Sequence, residues 1–311
     1  MTLLKRKRVL AAKIEATPGT AEALTSAEAA FNCYDIQIQT ETELEQREGQ
    51  GSFGMRQSVP GGYKGRLQFK HDVSWDGTST EPSWADTFLP ACGWVKSGQV
   101  FTPRSEAPGS NVKTLTFGVY IDGVLKTLRG AVGTFKLNCP SGKAAFLEFD
   151  FMGIWSSPTD TAILTPTYPT ALPLRFASST TTWNSVDLLV ENLSLDSGNT
   201  MILREAAQTA AGFSAGLITN RIVTITGNPE AKTVATQDRY GKLLDMSEHA
   251  LTWSLDGPTN SVITISVPKA QITAISEADR ENMVIDDITW QANRNGSNID
   301  EECSITFTAA T

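Results

Sequence analysis

The chain has 311 residues, 40% hydrophobic and 19% charged, with a formal net charge of −8, which is long enough for two domains of about 150 residues, each with its own core. No apolar run approaches the ~20 residues of a membrane helix, so no membrane partner is expected, and an acidic chain lacks the basic footprint with which proteins grip nucleic acid. Cys33, Cys92, Cys139 and Cys303 form no CxxC pair and His71 and His249 stand apart, which excludes a zinc spacing and points to reduced thiols in or near the core.

In chain order, Lys5, Arg6, Lys7 and Arg8 make a basic start without the apolar stretch of a secretory signal after it. Residues 1–30 read as an N-terminal arm. Cys33–Ile38 reads as a strand with polar neighbours. The segment Glu41–Gly62 carries Glu41, Glu43, Glu45, Arg47 and Glu48, several glycines and few core-forming residues. It is expected to be a loop that orders only on assembly, because little apolar burial offsets its backbone entropy. Within it, Gly49–Gly54 satisfies GxGxxG. The dinucleotide fingerprint needs a buried strand before and a helix after, whereas acidic residues lead in here and Val59-Pro60-Gly61-Gly62 leads out.

Tyr63–Phe69 has period-2 character. Pro82–Leu89 reads as a short helix with Trp84 and Phe88 on one face. Leu115–Phe117, Phe135–Leu137 and Phe146–Phe151 read as strands, with Asp122-Gly123 as a turn signal. The stretch from Ser156 to Thr182 is rich in Thr, Ser and Pro, so a linker is placed at 158–182.

The second half runs through the same order. Ser185–Val190 answers Cys33–Ile38, Arg204-Glu205 answers Arg47-Glu48, and Asn220–Ile225 answers Tyr63–Phe69. Tyr240–Leu244 answers the helix; Leu251–Trp253, Ile272–Ala274 and Met283–Ile288 answer the three later strands. A constant order points to a divergent duplication, with units at 31–157 and 183–311. The excess negative charge lies in the second half: residues 1–165 hold 17 Lys/Arg and 17 Asp/Glu, residues 166–311 hold 9 and 17.

Gly212–Gly216 satisfies GxSxG around Ser214, with Asp238 or Asp245 and then His249 in hydrolase order. A nucleophile elbow needs a strand before the serine and a helix after it, and the residues after Ser214 are β-rich. Both glycine motifs fall between the first and second strands of their units, as copies of one mobile loop. Asp286-Asp287 and Asp300–Glu302 lack a calcium loop and read as a solvated acidic surface. His71 reads as a surface histidine, and the seven tryptophans as core residues. No catalytic, cofactor or metal site is expected.

Lys13–Ala21, containing Glu15-Ala16-Thr17-Pro18-Gly19-Thr20-Ala21, resembles the E-x-T-x-G-T-A arm of phage tail tube proteins. The following order, strand, acidic glycine-rich loop, strand, helix and β-rich remainder, is similar to that family from residue 13 to about 155. The resemblance implies a mainly β fold of two tandem β-sandwich or barrel domains, each with a short flanking helix and a long inter-subunit loop. It implies no enzymatic activity and no cofactor.

The resemblance further implies stacked rings whose inner strands join into a barrel. The usual subunit supplies one domain of six per ring; two per chain would give trimers with pseudo-sixfold symmetry. The implied partners are further copies, the terminator, tape measure and baseplate of a virion tail assembled in the host cytoplasm, and genomic DNA passing an acidic lumen without specific binding. Lys5–Arg8 of one subunit would meet Glu41–Glu48 of a neighbour, with Arg204 and Glu205 as the second copy of the Arg47-Glu48 pair, and loss of residues 2–12 is expected to leave a folded monomer. The alternatives are another tail component, a terminator or baseplate hub, or a carbohydrate-binding β-sandwich with exposed tryptophans as platforms.

Overall fold

The computed structural model describes residues 3–4, 6–78, 81–257 and 261–309. The first strand, β1 (Arg8–Ile14), pairs antiparallel with β6 (Leu115–Ile121). Its small apolar residues are buried on both faces: Leu10 and Ala12 enter the main core, while Val9 and Ala11 pack with Ala29 and Tyr120. A strand covered on both sides needs such a continuous apolar run. The residues expected to project as an arm are thus largely part of the fold.

Next come β2 (Cys33–Glu48) and β3 (Met55–Asp72), one long antiparallel hairpin in which Thr42 faces Tyr63 and Arg47 faces Arg56. The segment expected to be a loop is therefore the distal half of this hairpin, and Gly49–Gly54 is its tip between two strands. Cross-strand hydrogen bonds satisfy the backbone whatever the side chains, so polar side chains do not prevent the ladder from forming.

The helix α1 (Ser83–Ala91) buries Trp84, Ala85, Phe88, Leu89 and Ala91. Phe88 lies 5.2 Å from Phe69 and 5.1 Å from Phe149, centroid to centroid. After it follow β4 (Trp94–Ser97), β5 (Val100–Pro103), β6, β7 (Val124–Pro140) and β8 (Phe146–Asp160). Residues 161–181 contain no strand, yet Leu174 and Phe176 are buried and the Leu174 amide donates to Val73 (2.8 Å).

The remaining strands are β9 (Thr182–Trp183), β10 (Val186–Asp187), β11 (Val190–Asp196), β12 (Asn199–Glu205), β13 (Phe213–Arg221), β14 (Thr224–Pro229), β15 (Glu248–Asp256), β16 (Val262–Arg280), β17 (Met283–Ala292) and β18 (Ser304–Thr308). The helix α2 (Arg239–Leu244) lies between β14 and β15. The strand expected over Asn220–Ile225 is broken at Ile222-Val223. Beside the break Gly198 has φ +59, and a Cβ there would stand 2.0 Å from the Ile222 carbonyl oxygen. Glycine is therefore required where β12 and β13 leave the main sheet as a separate two-stranded ribbon.

The strands order as β6–β7–β8–β3–β2 in the first half and β15–β16–β17–β14–β11 in the second. An antiparallel seam joins them, with Leu195 opposite Leu137 and Asp196 opposite Lys136. The result is one 16-stranded sheet, in which β18 pairs with both β16 and β5. One core runs through both halves, from Trp75 and Phe149 to Trp253 and Trp290.

Candidate assembly surface

The residues singled out for charge fall in several places. Lys5 lies outside the described residues, and Arg6 is exposed. Lys7 bridges to Asp122 at the β6–β7 turn (3.3 Å), and the Arg8 guanidinium donates to the Ile36 carbonyl. The Leu4 amide (3.0 Å), followed by Lys7, holds the Asp122 carboxyl below the usual aspartate range. On the hairpin, Lys64 reaches Glu41 (3.7 Å) and Glu43 (3.5 Å), and Glu45, Arg47 and Glu48 are exposed. Arg204, beside exposed Glu205 at the end of β12, donates to Ser214 (3.4 Å). Within the chain the basic start and the hairpin glutamates therefore take different partners.

The Glu15 motif has a structural explanation. Glu15 is only 3% exposed, and its carboxylate accepts from the Gly19 amide (2.7 Å), the Gly130 amide (2.7 Å), Thr114 (2.6 Å) and Thr116 (2.8 Å). Gly19 takes φ +84 to close this turn, and Arg129 donates to its carbonyl (3.1 Å). Charge-assisted bonds of this kind are what make a buried carboxylate tolerable. The motif clamps the chain after β1 onto β6 and onto the bulge of β7.

Four readings of single residues need correction. His71 is buried against Trp84 and Phe88, and that burial pushes its pKa down to about 4. Asp286 is buried in an ion pair with Arg239 (2.6 Å), while Asp300 (3.3 Å) and Glu302 (2.6 Å) clamp Arg221. These acids hold α2 and the C-terminal segment in place rather than forming a free acidic surface.

Ser214 lies within strand β13 and bonds Arg204, whereas His249 on β15 takes the Ser247 hydroxyl (3.1 Å). GxSxG here is a strand start with no helix behind it. Trp75, Trp94, Trp183, Trp253 and Trp290 are fully buried, which removes them as glycan platforms.

The face of the sheet turned away from the core is polar. Arg66 pairs with Asp150, Lys70 with Glu148 (3.1 Å) and Asp35 (3.8 Å), and Lys136 stands opposite Asp196. Across the seam the same face carries hydroxyls, with Ser194 and Thr226 2.7 Å apart. The three cations Arg66, Lys70 and Lys136 stand beside carboxylates, so this part of the surface is mixed in charge rather than simply acidic. Among the described residues the unpaired edges of the sheet are those of the short strands β1, β4 and β10, and two longer ones: the outer side of β2, and β16 beyond Ile272, which has only β17 beside it. Unpaired edges are templates for a further strand.

No curated protein matches the chain. A family model described as phage tail tube protein matches residues 5–292. The sheet with its open edges, the polar outer face and this match over most of the sequence lead to one conclusion: the chain belongs to the phage tail tube protein family, and it is a β-rich structural component of the virion tail.

Proposed function

We propose that the chain is a double subunit of the tail tube, three copies forming each ring with pseudo-sixfold symmetry and the rings stacking into a conduit for DNA. The observation that carries this reading is the β11–β7 seam. It joins two runs with the same strand order, β6–β7–β8–β3–β2 and β15–β16–β17–β14–β11, as if two ring positions had been fused in one chain. Units at 31–157 and 183–311, with the linker at 158–182, follow from the same repeat.

A heterologous contact that repeats can close into a ring, and ring closure would cover the open edges of β2 and β16. The polar face of mixed charge would then line the lumen. Without a surplus of cations it gives phosphate little to hold, which suits DNA that must pass unbound. Arg6 and the hairpin residues Glu45, Arg47 and Glu48, exposed in the chain, are assigned to contacts with neighbouring copies, within a ring or between rings, or with the terminator, tape measure and baseplate. Mass per ring of purified tubes tests the stoichiometry: three copies of the 33.6 kDa chain are expected, and a mass corresponding to six would overturn it.

A further inference from the structure

The chain contains two hairpins of one design with different surroundings. The β12–β13 ribbon lies over the first run of strands. Phe213 packs with Ile154 and Tyr63, and a Cβ on Gly62 would stand 2.6 Å from its ring. Ala215 rests on Gly130 and Gly19, leaving room for no side chain at Gly130, where its Cα would be 3.1 Å from a Cβ. At the other end Ile218 reaches Gly93, just after α1, and Asn199 donates to the Cys92 (2.8 Å) and Gly133 (2.9 Å) carbonyls. The ribbon thus spans the turn after α1, the β7 bulge and the end of β8.

The distal half of β2–β3 is its counterpart. Arg47-Glu48 answers Arg204-Glu205 in sequence, and Glu48 faces Met55 as Glu205 faces Phe213. Met55 therefore stands where Phe213 does, and Pro60, opposite Leu44, stands where Ile218 does, opposite Met201. Yet this hairpin projects into solvent: Met55 is 58% exposed, and Leu44, Phe53 and Val59 are exposed beside it.

The matching ground on the second run is bare as well. The turn after α2 exposes Leu244 (83%) and Met246 (65%). Met246 Sδ lies 3.3 Å from Gln271 Nε2 on β16, so this turn sits beside β16 as the turn after α1 sits beside β7. The hairpin cannot reach that ground in its own chain, because β2 closes one end of the strand order and β16 lies beyond the seam.

We infer that the distal β2–β3 hairpin of one copy lies over the α2–β15 turn and the adjoining part of β16 of the next copy, repeating between chains the contact that β12–β13 makes within one. This rests on the ring reading above. Carrying over the β11–β7 pairing brings β2 of one copy antiparallel alongside the open edge of β16 beyond Ile272 of the next. Two exposed apolar patches cover each other in this arrangement, as expected of a permanent interface.

Full-length protein carrying Pro60→Cys and Met246→Cys, assembled into tubes and treated with a short bismaleimide, tests the contact, with the unsubstituted protein, which has four native cysteines, and each single substitution as controls. Covalent species that extend to three chains and stop there are expected. Tubes with three-chain rings but no link between chains would overturn the hairpin seat and leave the ring reading standing. Links that run on to six chains would support the seat and overturn the trimer.

In parallel, Met55→Glu and Leu244→Glu should each lower the yield of polymer roughly tenfold or more, the effect of losing a central interface contact, with the monomer's melting temperature unchanged. Normal polymer yield from both would overturn the seat.

Discussion

Glu15 carries a carboxylate into a site that is 3% exposed, where four donors converge on it. Removing the acceptor leaves two amides and two hydroxyls unpaired, so Glu15→Ala should lower stability by about 3 kcal/mol or more, measured by urea unfolding. The motif was visible in the sequence, but its burial was not, because nothing local marks Thr114, Thr116 and Gly130 as its partners. His71 is a similar case. It reads as a surface histidine in the sequence, whereas the ring faces Trp84 and Phe88 in the core.

With a folded pKa of about 4 against 6.5 unfolded, His71 takes up its proton first in the unfolded chain. Its cost is absent above pH 6.5 and grows as the pH falls toward 4. Between pH 7 and pH 5 it should remove about 2 kcal/mol of stability. His71→Phe should flatten that slope, and unfolding curves at the two pH values check it; an equal slope in both proteins would mean that the ring is solvated.

At the scale of elements, α1 and the strands around Phe69, Phe117 and Phe149 follow the apolar periodicity of their sequences, and these were legible. The helix α2 was legible only from its place in the order of elements, since it buries Arg239 and exposes Tyr240 and Leu244. The β2–β3 hairpin was not. Thr42, Glu43, Leu44 and Glu45 alternate without a buried face, and the ladder between the two strands, not a core, holds them. β1 was obscured in another way: its basic approach, Lys5–Arg8, drew attention from Val9–Ala12, all of them buried.

That burial reverses the expected effect of truncation. Deleting residues 2–12 strips most of β1 from β6 and opens both faces of the core, so the protein should lose cooperative unfolding or become insoluble. Calorimetry of the truncated chain decides it. A normal melting transition would mean that β1 is dispensable to the fold.

At the scale of the molecule, the β-rich order with its two short helices was legible, but the strand expected over Ser185–Val190 is only the two-residue β10 before a break, and the joining of the halves through β11 was not legible. The seam pairs Asn192–Asp196 with Lys136–Pro140, and no composition or turn signal in either segment names the other. The charge balance of the open face was equally hidden. The acidic excess of the second half suggested a solvated acidic surface, whereas Asp286, Asp300 and Glu302 form internal pairs and Lys70 and Arg66 pair with carboxylates on the outer face of the sheet.

The central claim is that the internal seam is one of six similar joints around a ring. The rotational symmetry of an assembled tube, reconstructed by electron cryo-microscopy, tests it most directly. The account predicts true threefold symmetry, with six near-equivalent sheets lining the lumen and β2 of each chain beside β16 of the next. A ring of six chains, with only one run of strands from each lining the channel, would contradict it.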